Sequence, residues 1–173
     1  MEQYLSGAPL TFSQAVTVLD TISGIDQRGA EPLVAEWGIE MARFGTAARL
    51  AAWTGVAPGN DESAGKQGWG KTRKGYHALR TGLAQMAYAA ARTKGTYLSA
   101  FYQRLAVGRG RKRAIMVVAH AIVVSAFHML SRNEPYHDLG ANYIDEQRRH
   151  HLVDRFRRRL GYRASLAPVP ATA

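Results

Sequence analysis

Ser63 lies among residues that could carry out phosphoryl transfer. It stands in the segment Glu62-Ser-Ala-Gly-Lys66, with a carboxylate on one side and a cation three residues later. A serine hydroxyl becomes a nucleophile when a base, cations or a metal ion activates it. A cluster of cations can hold phosphates and offset charge that develops on a phosphoryl group. Five basic residues without an intervening acid form such a cluster here: Lys66, Lys71, Arg73, Lys74 and Arg80. The alternative is an ordinary solvated loop serine, and residue type alone favours it.

A second pattern could bind phosphate through the backbone. Leu19–Ile25 contains the end of a first helix and a turn of the form Ile-x-Gly-Ile, and Ala30–Glu36 belongs to a second short helix. Two short helices joined by such a turn are typical of a helix-hairpin-helix. Gly24 would let the turn approach a phosphate, and N–H groups at the start of the second helix would bind it. Such contacts position nucleic acid without reading its sequence. We expect Gly24→Val to weaken this contact while leaving the helix content largely intact. An ordinary hairpin packed on the core fits the pattern equally well.

Arginine-rich segments occur at two places. Gly108–Arg113 reads as a basic connector between helices, and its Arg111, Lys112 and Arg113 are candidates for phosphate contact. The second segment is near the end of the chain, where a solvated helix face partly neutralised by acids is the alternative. Its basic residues are Arg148, Arg149, Arg155, Arg157, Arg158, Arg159 and Arg163.

Helical periodicity dominates the elements that must position these residues, and no convincing strand pattern appears. The sequence predicts an all-α fold: a helix-hairpin-helix followed by a helical bundle with a long Gly-rich catalytic loop at 57–75. Thr11 or Ser13 would cap the first helix, while Thr46 and Gly55 would begin and end the third. Residues 114–130 should form a buried core helix. A last helix, about 142–160, should turn four apolar residues inward: Ile144, Leu152, Phe156 and Leu160.

Composition narrows the possible partners. The net charge is +10, which favours a polyanion such as nucleic acid. No cysteine is present, which removes disulfides and thiolate zinc sites and fits a cytoplasmic protein. The apolar run 114–130 is shorter than the roughly 20 residues that span a bilayer, so no membrane association is expected. His120 and His128 are two helical turns apart, too far for a metal pair on adjacent turns, and no metal site is predicted.

Several motifs, taken in order, resemble one family of transposases. Matching segments include Ile22–Ile25, Leu50–Pro58 and Asp138–Tyr143. The most specific stretch is Pro58–Lys66 together with Thr72–Gly75 and Leu79-Arg80. The chain resembles the C-terminal, serine-bearing domain of insertion-sequence transposases that also carry a DEDD (four-carboxylate) domain. These enzymes are known as bridge-RNA-guided recombinases. The resemblance divides the chain into a transposase domain (10–135), a helical extension (136–163) and a tail (164–173) that we expect to be disordered.

The resemblance implies a mechanism and partners. Ser63 would be the nucleophile that attacks a DNA phosphate, and the carboxylates of the N-terminal DEDD domain would hold Mg²⁺ beside it. DNA, a structured guide RNA and a second copy of the chain are the implied partners. No counterpart of the DEDD domain occurs here, so this chain alone is expected to be inactive. Tyr76 departs from the family, which usually has Asn there. The alternatives are a non-catalytic nucleic-acid-binding module and an inert transposon remnant.

Overall fold

The computed structural model describes residues 10–57, 62–63, 66–67 and 77–160. Within these ranges the chain forms seven α-helices, one short 3-10 helix at Met41–Arg43 and one pair of two-residue strands. The elements are α1 (Phe12–Asp20), α2 (Gln27–Trp37), α3 (Ala47–Thr54), β1 (Glu62–Ser63), β2 (Lys66–Gln67), α4 (His77–Arg92), α5 (Tyr97–Arg109), α6 (Arg111–Arg132) and α7 (Tyr143–Leu160). The predicted all-α class is confirmed, while the predicted tail 164–173 lies outside the described residues.

Helix α6 lies at the centre of the bundle. It packs against α1, α3, α4 and α5, and Ile115, Val118, Ile122 and Val123 are buried along it. By length and composition α6 could cross a membrane, but 56% of its most apolar 18-residue stretch is buried inside the protein. That burial is what a core helix requires, because its apolar side chains are already removed from water. The predicted core helix is confirmed, with wider bounds than 114–130.

Local capping explains where several helices begin and end. The Thr11 hydroxyl accepts from the Gln14 N–H at 3.3 Å, and the Gln14 side chain bonds back to the Thr11 N–H, which completes a capping box. Thr46 accepts from the Arg49 N–H and caps α3. Gly55, with φ +80°, ends α3 in the left-handed conformation. The predicted caps at Thr11, Thr46 and Gly55 are confirmed.

The predicted basic connector is mostly helical. Arg109 is the last residue of α5, and Arg111 is the first residue of α6. Gly110, with φ +80°, is the one residue between them. Glycine adopts this backbone conformation without strain, so the two helices meet at a sharp corner. Arg111, Lys112 and Arg113 therefore stand in the first turn of a long helix and not on a loop.

Helix α7 contacts the bundle near its start. Arg104 of α5 forms an ion pair with Asp145, and the rings of Tyr97 and Tyr143 lie 5.9 Å apart. Farther along, Leu152 is 47% and Phe156 is 53% exposed. The prediction that these two side chains point inward is therefore wrong. Periodicity identified an apolar face, but it carried no information on whether another element covers that face. Ile144 is half-buried, and the side chain of Leu160 lies outside the described part of the chain.

Candidate nucleic-acid interface

Ser63 belongs to a short β-ladder between α3 and α4. Strand β1 pairs with β2 in antiparallel fashion, with Ser63 opposite Lys66 and Glu62 opposite Gln67. Residues directly opposite one another in such a pair have Cα atoms about 4.5–5.5 Å apart. The backbone thus brings Ser63 next to the first cation of the predicted cluster. Strands are recognised in a sequence by alternating apolar and polar residues, and strands of two residues are too short to show this pattern. The sequence therefore indicated only a loop.

The other predicted cations are only partly within the described chain. Arg80 lies in the first turns of α4 and is half-buried. The remaining predictions, Lys71, Arg73 and Lys74, lie outside the described residues, as does Tyr76. The structure therefore places Ser63 and Lys66 together and leaves the rest of that cluster as a prediction.

Exposed cations gather at the corner between α5 and α6. Arg109 ends α5, and Arg111, Lys112 and Arg113 are all exposed in the first turn of α6. No acidic residue occurs in that turn, and Gly110 provides no side-chain cap. Cations at a helix N-terminus are opposed by the helix dipole, whereas an anion placed there is stabilised by both the dipole and the cations. The cations at the corner therefore lower the stability of α6, and they make the corner well suited to bind phosphate.

The basic charge is concentrated in one part of the chain. Between Glu62 and Glu134 the sequence contains no aspartate or glutamate, yet it contains 13 of the 23 lysines and arginines. Helices α4, α5 and α6 therefore carry no carboxylate at all. This acid-free region was visible in the sequence but is missed when motifs are examined one by one. Asp145 of α7 pairs with one of these cations, Arg104, and the net positive charge of the remainder attracts a polyanion.

The helical hairpin of α1 and α2 has the opposite charge. Residues 10–40 contain five acidic residues and a single basic one, Arg28. The acidic residues are Asp20, Asp26, Glu31, Glu36 and Glu40. The Asp26 carboxylate also accepts the Gly29 N–H at 2.8 Å. This backbone N–H at the start of α2 is one of those predicted to bind phosphate, and it is already hydrogen-bonded within the protein. These charges oppose a phosphate backbone at the hairpin.

The backbone at Gly24 lies close to another helix of the protein, α4. Its φ is +91°, and a Cβ built on it would lie 2.6 Å from the Cα and 2.8 Å from the Cβ of Ala90 in α4, and closer still to the Ala90 amide nitrogen. The turn is also bonded to the segment after α6, since the Tyr136 N–H donates to the Thr21 hydroxyl at 2.8 Å. A side chain at Gly24 would therefore disturb packing as well as any phosphate contact, and the expectation that Gly24→Val leaves the helix content largely intact stays a prediction. The structure explains the glycine by packing, and whether Gly24 also contacts phosphate stays a prediction.

A groove of about 610 Å³ lies between α6 and the segment 134–139. Its lining includes His120, His128 and Tyr136, which the sequence did not bring together. Burial lowers the pKa of His120. Burial, with smaller contributions from Asp138 and Tyr97, raises the pKa of Tyr136 to about 12. Both side chains are therefore held in their neutral forms.

These two shifts predict how stability depends on pH. Below about pH 6.5 the unfolded chain binds a proton that folded His120 resists, so stability should fall as the pH falls. Above about pH 10 the unfolded chain loses a proton that folded Tyr136 keeps up to about 12, so stability should fall as the pH rises. Urea midpoints measured across this range check both limbs. Burial also raises the pKa of Tyr97, which adds to the alkaline limb. His120→Asn should therefore reduce the slope of the acidic limb only and Tyr136→Phe that of the alkaline limb only, so each variant serves as the other's control. Equal slopes in all three proteins would contradict the assignment.

The described residues do not supply a ligand set for the Mg²⁺ that the resemblance implies. Among them no group of three or more histidine, aspartate or glutamate side chains is placed to hold a metal ion. Mg²⁺ prefers oxygen ligands, carboxylates above all, and the helices around the basic corner contain none. No chemical step is therefore assigned to a metal held by these residues.

Comparison with known proteins identifies the class. The sequence pattern of the Transposase IS116/IS110/IS902 family matches residues 16–103, just over half of the chain. The match runs from α1 through the Ser63 segment and α4 into α5. The chain therefore belongs to this family of transposases, and its role lies in DNA transposition and recombination. A comparison with curated proteins finds no significant match.

Proposed function

We propose that this chain is the DNA-binding, nucleophile-bearing part of a transposase. In this proposal the hydroxyl of Ser63 attacks a DNA phosphate while cations of the acid-free region hold the neighbouring phosphates. The observation that carries the proposal is the distribution of charge: the acid-free region begins at Ser63 and extends through the exposed corner at Arg111. A phosphate backbone is attracted along that whole stretch and repelled by the acidic hairpin.

The connectivity of the helices supports a single binding surface. Helices α4 and α5 pack against each other and are joined by only four residues, 93–96. In a helical hairpin with so short a connection the two helices run antiparallel, which would bring the start of α4 and the end of α5 to the same end of the bundle. The chain from Ser63 enters α4 at that end, and the basic corner leaves α5 there. We infer that the serine segment and the corner face the same DNA.

The chemistry of the step explains why cations alone do not suffice. The Ser63 oxygen would form a bond to phosphorus, the bond from phosphorus to the departing DNA oxygen would break, and the serine would carry the phosphoryl group. The serine proton must be taken up and the departing oxygen must receive one. Lys66 and the other cations offset negative charge in the transition state, but they are poor proton acceptors. A carboxylate-rich domain of the kind that the resemblance implies would complete this composite site.

A structured guide RNA and a second copy of the chain remain part of the proposal. RNA presents the same phosphates as DNA, so the acid-free region would attract it as well. We assign the phosphate contacts to the corner and the Ser63 segment, since the acidic charge at the hairpin disfavours contacts there.

Binding assays with matched charge variants test the DNA-binding part of the proposal. Affinity for duplex DNA should fall steeply between about 50 and 200 mM salt, because each neutralised phosphate releases counterions. Replacing Arg111 and Lys112 with glutamine should reduce the slope of log affinity against log salt by about 2, and the affinity by about tenfold or more. Thermal stability should not fall, because the helix dipole opposes both charges.

The control removes the same charge elsewhere. Arg148 and Arg149 are also exposed, but they lie on α7, outside the acid-free region. Replacing both with glutamine should change the slope less than the corner variant does. Equal losses in the two variants would show that net charge alone attracts DNA, and a nearly flat salt dependence of the unmodified chain would contradict phosphate binding altogether.

A further inference from the structure

The corner between α5 and α6 carries an apolar residue that is not part of the core. Val107 is 92% exposed, far more than the next most exposed large apolar residue in the described chain, Phe156 at 53%. A Cβ built on Gly108 or Gly110 would meet no atom within 4 Å, so the corner stands clear of the other described residues. Valine and glycine are also poorer helix formers than alanine. Val107 and Gly108 thus weaken the last turn of α5, and neither residue is buried in the core.

Single exposed apolar residues are common, and the surroundings of Val107 are what distinguish it. It precedes four exposed cations within six residues: Arg109, Arg111, Lys112 and Arg113. The sequence on both sides of the corner, from Ser63 to Asn133, contains no carboxylate, and Asp145, which contacts α5 from α7, pairs with Arg104. The partner that this surface fits must therefore combine closely spaced negative charges with an apolar interior that one small side chain can enter.

Duplex DNA has both properties. Its phosphates line each groove, and its stacked bases accept apolar side chains that wedge between neighbouring base pairs while cations hold the flanking phosphates. An anionic membrane also combines charge with an apolar interior, but one valine buries too little apolar area to anchor a protein there. The chemistry of the corner therefore favours DNA.

We propose that Val107 is a wedge that enters a DNA groove and kinks the duplex while Arg109 and Arg111–Arg113 hold the phosphates on either side. This inference rests on the proposed function, because it requires the corner to bind DNA. A kink beside the serine segment would unstack base pairs near the phosphate that Ser63 attacks. Wedges of this kind bend DNA by about 20–90°. Val107 is accordingly a positioning residue that acts on the shape of the substrate.

Resonance energy transfer across a duplex of about 30 base pairs labelled at both ends tests the wedge. Binding of the unmodified chain should bring the ends together and raise the transfer efficiency. Val107→Ser should lose most of that rise and keep the same salt slope of binding, because the cations remain. Val107 is nearly fully exposed, so this substitution should leave the fold unchanged. Phe12→Ser is the control, since Phe12 is 47% exposed on the acidic hairpin, and it should bend DNA as the unmodified chain does.

The outcomes separate the wedge from the proposed function. If the unmodified chain binds with a steep salt slope but does not bend DNA, or if Val107→Ser bends it equally well, the wedge is excluded and phosphate binding stands. If no salt-dependent binding occurs, the proposed function fails and the wedge with it. Binding to vesicles of phosphatidylserine and phosphatidylcholine that requires Val107, without DNA bending, would assign the corner to a lipid surface and overturn the inference.

Discussion

Replacing Gly24 with alanine is expected to destabilise the folded protein by about 2–5 kcal/mol. The φ of +91° at Gly24 disfavours any L side chain, at about 1–2 kcal/mol. The new methyl group would also overlap the backbone of Ala90, and overpacking of this kind costs about 1–3 kcal/mol. Because Ala90 is fully buried and lies in α4, relief of the overlap requires the hairpin and α4 to move apart. The urea midpoint should therefore fall markedly.

Gly95 provides the matched control. Its φ is +79°, similar to that of Gly24, but a Cβ there would meet no atom within 4 Å. Gly95→Ala should therefore cost only the backbone strain, about 1–2 kcal/mol. The difference between the two variants isolates the contact with Ala90. If both lose the same stability and Gly24→Ala alone loses DNA binding, the turn contacts phosphate and the packing explanation is wrong.

Ser63→Ala is expected to abolish the covalent protein–DNA adduct without changing DNA affinity. The substitution removes the proposed attacking oxygen and leaves every cation in place. The 173-residue chain alone should bind DNA and form no adduct, since cations do not take up the serine proton. Mixing it with the four-carboxylate domain of a family member, that member's guide RNA and DNA, and Mg²⁺ should yield an adduct that survives denaturing electrophoresis.

Ser13→Ala is the control for that experiment. Ser13 is an exposed serine of α1 on the acidic hairpin, and its removal should leave the adduct yield unchanged. An adduct that persists in Ser63→Ala would remove Ser63 from the mechanism. An adduct formed by the unmodified chain alone would show that these 173 residues contain a complete site. DNA binding without an adduct in any mixture would favour the non-catalytic binding module.

Much of the fold could be predicted because local signals determine it. Thr11, Thr46 and Gly55 are capping residues whose chemistry acts over four residues, and the apolar run around Ile122 indicated a buried helix. The exposure of Leu152 and Phe156 could not be predicted in the same way. Their periodicity defines a face, and whether that face is covered depends on elements far away in sequence.

The same distinction between local and long-range signals applies to the candidate site. The identities of Ser63, Lys66 and Arg111 were available from sequence, and so was the acid-free region that contains them. The packing of Gly24 against Ala90 was not available, because 66 residues separate the two and no local rule connects them. Glycine is needed both where another helix packs against the backbone and where a phosphate does. The sequence alone therefore does not distinguish the two causes.

Peptide mapping of the covalent adduct tests the central claim most directly. Trypsin cleaves after Arg49 and Lys66 and releases the peptide 50–66, in which Thr54 and Ser63 are the only residues with a hydroxyl group. Thr54 is fully buried, and its hydroxyl donates to the Leu50 carbonyl at 2.7 Å, so it is not available for attack. After nuclease digestion of the DNA, mass spectrometry should find a nucleotide phosphate on this peptide, with fragment ions that place it on Ser63. A nucleotide on any other residue would contradict the account.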